Sequence, residues 1–512
     1  MSEIDSSRTK STMRNAVISG ITQIFIIVTR FVIQTIFMYK LGKAYTGING
    51  VFNNVILVLN IAELGLSSAL AYSMYKALVE KDVLKISGLM NFYRKTYHKI
   101  SGVIAGLGLT LIPFIPLLIK GHQAVPHVTL IYLLFLLNTV SSYFFSFKRN
   151  LLTADQKEYL NQLNILLYTT IQIILQIFVL LVFKAYITYL LIFIVFQWIA
   201  NFSISRKVDQ LYPFLKENRQ AKIDAKELLI IKHNTKELIG GKVSEVAEIG
   251  TDNLLLSSIM GVQVAGTYSS YELIRNAVLK LLQMIIFGAT ASIGNFVHST
   301  KDKKQVEEMM YRHFRISFIL ALFSFTCLLN LLRPFILIWN QNYLVSSLTI
   351  WLISFDVGLK ILRNTPIAFF SALGTYQHMG IKSIIESLLN LIFSALFLSL
   401  TNLGIAAVVL GTILANVFVS SWWEPYQLYR LYFKKKCTKY LACYWKYLFL
   451  MLISGALSSI FLNKIATKNL ITDFLLSSVI SIVFAFVASF LFVRQDMQFI
   501  LNNLWKKIRR IV

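Results

Sequence analysis

Apolar residues occupy this chain in long runs broken by short polar stretches, and the runs are about as long as a helix needs to cross a bilayer, roughly 20 residues. About 14 such runs can be drawn: 16–39, 48–74, 97–119, 128–147, 160–183, 186–204, 237–260, 264–296, 316–337, 348–370, 382–400, 404–426, 447–462 and 474–493. The predicted class is all-α, a polytopic membrane protein. The longest polar break, residues 205–236, falls after the sixth run and predicts a division into a first lobe over 1–204, a cytoplasmic linker over 205–236 and a second lobe over 237–430. Residues 431–512 carry a final helical hairpin and a basic tail, in which Met497, Leu501, Leu504, Trp505 and Ile508 share one helical face suited to lying on the inner leaflet.

Short motifs relate the two lobes. Leu41-Gly42-x-x-x-x-Gly47 precedes the second run and Met260-Gly261-x-x-x-x-Gly266 precedes the eighth. Leu152-Thr-Ala-Asp-Gln156 after the fourth run is echoed by Leu373-Gly-Thr-Tyr-Gln377 after the tenth. Two matches at nearly one offset predict a repeat of six helices, and an even repeat keeps its orientation, giving a parallel repeat about an axis along the membrane normal.

Composition changes the picture in one respect. The 512 residues are 56% hydrophobic and 14% charged, yet the net charge is +26, a value that on a soluble chain would suggest nucleic acid. Here the Lys and Arg residues are dispersed over alternate polar breaks, as in RLYFKKKCTKYLACYWK after the twelfth run, so the excess follows the positive-inside rule. N- and C-termini are expected in the cytosol, and no nucleic-acid partner is expected. The run that starts at Ala16, after Arg8, Lys10 and Arg14, is too long for the core of a cleavable signal and reads as a retained helix. Cys327, Cys437 and Cys443 offer no disulfide framework.

The candidate chemistry is charge inside apolar runs. Lys242, Glu245, Glu248 and Asp252 share one side of the seventh helix; Glu272, Arg275 and Lys280 do the same on the eighth, with Asn276 and Gln283 extending the stripe. Arg30 lies in the first run and Glu63 in the second; Asp356, Lys360 and Arg363 are spaced along the tenth, and Glu386 lies in the eleventh. A charge at bilayer depth costs about 2.5–3.5 kcal/mol on insertion scales and ordinarily faces a protein-lined or watery interior. Arginine suits bidentate phosphate binding, so Arg30, Arg275 and Arg363, with Lys280 and Asn276, are the candidate contacts for an anionic cargo. Glu63, Glu245, Asp252, Glu272 and Asp356 are the candidates for charge balance or ion coupling. No phosphate-cradling GxxxxGK[ST], HExxH or CxxC pair occurs, and the histidines are scattered, so no enzyme is expected.

The six-helix repeat, the Leu-Gly-x-x-x-x-Gly motif, Glu63-Leu-Gly-Leu-Ser-Ser-Ala-Leu70, Gly250-Thr-Asp252-Asn253 with Met260-Gly-x-x-x-x-Gly266-x-Tyr268, and Gly404-Ile-Ala-Ala resemble polysaccharide flippases of the multidrug/oligosaccharidyl-lipid/polysaccharide exporter superfamily. The resemblance implies two six-helix lobes around a cavity that opens alternately to either side of a bacterial cytoplasmic membrane. Its implied cargo is undecaprenyl-diphosphate-linked oligosaccharide, for capsule, exopolysaccharide or related polymers. Membrane lipids, a polysaccharide polymerase and glycosyltransferases are the implied partners. Relatives that flip the peptidoglycan precursor carry arginines in the first and eighth spans, where Arg30 and Arg275 stand here, and a lipid groove beside their last two spans. No cofactor is implied; protons or sodium ions are the candidates for coupling. The alternatives within the superfamily are a cation-coupled multidrug exporter and a peptidoglycan-precursor flippase. The multidrug branch has an acid in the first or seventh span; the first here holds Arg30 instead.

Overall fold

The computed structural model describes residues 3–63, 66–232, 235, 251–300, 302–373, 379–465 and 469–493, and these contain helices and no strand. The chain divides into two compact units, Met1–Ser270 and Tyr271–Val512.

In the first unit, α1 runs Glu3–Leu59 and covers the first predicted span and the first half of the second. They are separated at Gly42, whose φ of 82° only glycine adopts without strain. A 3-10 turn, Asn60–Glu63, leads to α2, Leu66–Glu80. Then come α3 (Val83–Thr110), α4 (Val128–Ser146), α5 (Glu158–Val182) and α6 (Tyr186–Leu211). α1 packs on α5, α5 on α6, and α4 on both α3 and α6. The start of α1 is fixed at the head of α5: Asn15 Nδ2 donates to Gln156 O at 2.7 Å, Tyr159 N donates to Asn15 Oδ1 at 3.1 Å, and Arg14 stacks on the Tyr159 ring at 3.6 Å. Gln156, the last residue of the Leu152 motif, sits at φ 56°. Its counterpart at residues 374–377 lies outside the described residues.

The two glycine motifs meet within this first unit. α7, Val262–Gly288, begins after Gly261, at φ 104° the counterpart of Gly42. A Cβ on Gly47 would stand 1.9 Å from the Val262 carbonyl oxygen, and one on Gly266 would stand 2.1 Å from the Lys43 carbonyl oxygen. Each copy of the motif therefore presents bare backbone to the other. Lys120 closes the corner, its N donating to Ser257 O at 3.1 Å and its O accepting from Val262 N at 3.0 Å.

The second unit is built on α8, Lys303–Asn340, which packs against α9 (Ser347–Leu373), α13 (Thr438–Ile465) and α14 (Leu470–Phe492). α10 (Met379–Leu400) pairs with α11 (Ile405–Ala415), and a π-helical turn, Asn416–Ser420, joins α11 to α12 (Ser421–Leu428). The final hairpin is locked to α8 by one amide. Asn330 Nδ2 donates to Ser458 Oγ at 3.0 Å and Ser481 Oγ at 3.1 Å, while its Oδ1 accepts from Ser459 Oγ at 2.8 Å.

Among the described residues, 11 helices are long and apolar enough to cross a membrane. The difference from the fourteen predicted runs has three sources. Val17–Leu59 counts once although Gly42 bends it, residues 236–250 of the seventh run lie outside the described set, and α9 carries Asp356, Lys360 and Arg363 together. The linker is docked on α3: Asn91 Nδ2 donates to Asn218 O at 3.0 Å and Ala221 O at 3.1 Å.

Candidate functional site: charges along the membrane helices

Arg30 projects from α1 as an exposed side chain and forms no ion pair among the described residues. Further along the same helix, Phe37 and Tyr45 join a ring cluster with α6: Phe37 to Tyr186 at 5.4 Å, Phe37 to Tyr189 at 5.5 Å, and Tyr45 to Tyr186 at 5.3 Å. Elsewhere in the first unit, Glu63 ends the 3-10 turn that interrupts the second span. Tyr97 Oη donates to its Oε1, and Tyr143 Oη donates to its Oε2 at 2.8 Å and contacts Asn60 Oδ1 at 3.1 Å. Asp252 is buried and accepts from Tyr268 Oη at 2.8 Å, while neighbouring Asn253 accepts from Ser269 Oγ at 3.1 Å. The Gly-Thr-Asp-Asn and Gly-x-Tyr motifs thus bond to each other across the turn at Gly261. Lys242, Glu245 and Glu248 lie outside the described residues.

The second unit holds two separate charge networks. In the first, Arg275 Nη1 is 3.4 Å from Asp356 Oδ2 and Nη2 is 3.6 Å from Glu272 Oε1, and Lys360 Nζ is 3.3 Å from the same Asp356 oxygen. Arg275 is 5% exposed and Asp356 fully buried. These contacts are longer than the roughly 2.7–2.9 Å of a tight charge-assisted hydrogen bond. Asn276, the next residue, is half-buried, and Lys280, about a turn and a half along the helix, is exposed.

The second network is tight. Arg363 Nη1 lies 2.9 Å from Glu386 Oε1 and its Nε 3.1 Å from Glu424 Oε2; Lys382 Nζ lies 2.9 Å from Glu386 Oε2 and 2.8 Å from Glu424 Oε1. Arg363 also donates to Asn416 Oδ1, at the π-helical turn. Two cations and two carboxylates close a neutral ring buried between α9, α10 and α12. Arg363 therefore sits among protein partners, in a group distinct from that of Arg275. Lys382 and Glu424 are not among the residues that the sequence singles out. The i,i+4 spacing of Lys382 and Glu386 was available as a signal; Glu424, far along the chain, had none.

An apolar cleft of about 390 Å³ opens between α7 (Ile274, Val278, Leu281), α8 (Phe323, Cys327, Leu331) and Phe474 of α14. Among the described residues no group of three or more His, Cys, Asp and Glu side chains is arranged to hold a metal ion.

Helices of this length and apolarity, several carrying charge on buried faces, define a multi-pass membrane protein. The chain is similar to a lipid II flippase MurJ in an inward closed conformation, at 16% identity and TM-score 0.67, over 93% of this chain and 98% of that one. It is also similar to a multidrug resistance MATE family transporter of the MOP superfamily in an inward-facing conformation, at 14% identity and TM-score 0.56, over 79% of this chain and 95% of that one. No family model and no curated protein sequence matches.

Proposed function

We propose that this protein is a flippase that carries an undecaprenyl-diphosphate-linked oligosaccharide from the inner to the outer leaflet by alternating access. The observation that carries the reading is Arg30, a permanent cation on a membrane helix, exposed, without an ion-pair partner among the described residues, on the same helix as Phe37 and Tyr45 of the Phe37–Tyr45–Tyr186–Tyr189 ring cluster. An uncompensated guanidinium there is costly, and a diphosphate would compensate it bidentately. Tyrosine rings offer apolar faces with hydroxyl handles, which suit sugar rings. The lipid II flippase MurJ, similar in fold over nearly the whole chain, supports a lipid-linked cargo. The apolar cleft beside α14 has the lining a polyprenyl tail requires.

Arg275, buried among carboxylates in the second unit, would be a further contact for an anionic part of the cargo. Arg363, in its tight ring, would shape the lobe rather than touch cargo. Asp252 and Glu63, each hydrogen-bonded by tyrosine, would take up and release the coupling proton or cation. A polymerase and glycosyltransferases would be the membrane partners.

Export of polymer in a strain lacking the gene tests this. Arg30→Ala and Arg275→Ala are expected to abolish export while protein still reaches the membrane; normal export by both would sink the diphosphate assignment. The multidrug reading is favoured instead if vesicles show efflux of a cationic dye that Asp252→Asn abolishes.

A further inference from the structure

The linker docked on α3 encloses a basic cleft that no transport step uses. α3 has 28 residues, about 42 Å of helix at 1.5 Å per residue, against an apolar core of about 30 Å. Its N-terminal turns, with Asn91, Arg94 and Lys95, therefore extend beyond the hydrocarbon, on the face the charge bias assigns to the cytosol. There the chain leaving α6 folds back over them. Gly88 permits the approach: a Cβ on it would stand 2.7 Å from the Lys222 carbonyl oxygen. Asn91 fastens the loop through Asn218 O and Ala221 O, and Lys85 pairs with Glu227 at 3.0 Å further on.

Two adjoining cavities result, of about 530 and 80 Å³, which share Asn91 and Arg219. Arg94, Lys95, Lys216, Arg219 and Lys222 line them from two separate segments, and none forms an ion pair among the described residues. The one acid in the lining, Asp209, is already taken by Lys148 at 2.6 Å. Glu217 and Asp224, exposed on the linker, line neither cavity. The positive-inside bias accounts for scattered, solvated cations. It does not require unpaired cations to line two adjoining hollows, three to each with Arg219 shared, whose walls are fastened by side-chain amides and a glycine contact.

We propose that this cleft binds a phosphate-bearing anion, either the headgroup of an anionic inner-leaflet lipid or a soluble phosphate compound. Arg94 and Arg219 supply the planar forks that suit phosphate oxygens, and the three lysines add charge around them. Because the cations come from α3 on one side and the linker on the other, an occupant bridges the two and holds the linker in its docked position.

The test uses the purified full-length protein and does not depend on transport. Hydrogen exchange of peptides over 214–224 is followed in detergent with sodium pyrophosphate, and in nanodiscs of phosphatidylcholine with or without phosphatidylglycerol. The expected result is slower exchange. Protection by pyrophosphate in detergent identifies a soluble ligand, and protection only with phosphatidylglycerol identifies a headgroup. Arg94→Gln with Arg219→Gln should weaken the response more than about tenfold, whereas Lys99→Gln with Lys446→Gln, equal in charge lost and outside both cavities, should preserve it. Should the arginine pair fail to fold, Lys95→Gln with Lys222→Gln serves in its place. Absence of protection under every condition overturns the proposal, as does equal weakening by the control pair.

Discussion

At the scale of single residues, the same type of side chain does different work depending on its partners. Arg363 and Arg275 are both buried arginines in the second unit, but Arg363 is gripped at 2.9 and 3.1 Å inside a closed neutral ring while Arg275 rests at 3.4 and 3.6 Å from its carboxylates. Removing one member of the ring strands an opposite charge in the interior, a loss of about 3–5 kcal/mol for buried pairs. Lys382→Met is therefore expected to lower the melting temperature of the purified protein strongly. Adding Glu386→Gln should recover part of the loss, because the Arg363–Glu424 pair remains and neutrality returns. A double variant no more stable than the single one would show that Lys382 and Glu386 do not act together. The spacing of Asp356, Lys360 and Arg363 suggested one set in the sequence, and only part of it survives. Lys360 reaches back to Asp356 one turn away, whereas Arg363 stands about 10.5 Å further along the axis than Asp356 and meets different helices. Helical periodicity assigns a face; it does not say which neighbour, such as Glu424, arrives there.

At the scale of elements, the glycine motifs were the most legible feature and also meant more than their spacing implied. Matching motifs predicted a repeat, and in the structure the two copies lie backbone to backbone, Gly47 against Val262 and Gly266 against Lys43. A side chain there must force main chain apart, and overpacking of a tight contact costs about 1–3 kcal/mol or more. Gly47→Val and Gly266→Val are expected to cut the yield of folded protein sharply in detergent-solubilised membranes, measured by fluorescence-detection size exclusion. Gly106→Val on α3, where a Cβ meets nothing within 4 Å, should leave it near normal. Irregular elements were less legible. The π-helical turns at Leu256–Met260, Asn416–Ser420 and Tyr429–Phe433 shift a helix by one residue without any proline or glycine inside them. Such bulges are set by tertiary contacts, here Asn416 with Arg363, and recur at functional sites. The docking of the linker was hidden for a similar reason. Asn91 reads as one more polar residue on an amphipathic helix until the loop that accepts its hydrogen bonds is folded over it.

At the scale of the whole molecule, hydropathy and charge act together, and their combination predicts a topology that neither gives alone. Apolar runs set how many times the chain crosses, and the Lys and Arg placement sets which way round it sits. On that reading the turn after α5 with Lys184 and the turn before α4 with His127 face outward. The Lys157 turn, the Lys304 end of α8 and the loop of Lys434 to Lys436 face the cytosol. Single cysteines substituted at His127, Lys184, Lys157 and Lys304, in a background with Cys327, Cys437 and Cys443 replaced by serine, decide it. A membrane-impermeant maleimide applied to intact cells should label the first pair and spare the second, with the second labelled once the membrane is opened. The native thiols must go because Cys437 lies in the same kind of loop, although burial pushes its thiol pKa up and so keeps it protonated and slow to react. The reverse labelling pattern would place the docked linker and its basic cleft outside. Arg30 would keep its position along α1, but cargo would then have to meet the cleft face from the wrong leaflet. The direction of transport and the cytosolic site thus stand on one measurable property, the side of the membrane on which the charged loops emerge.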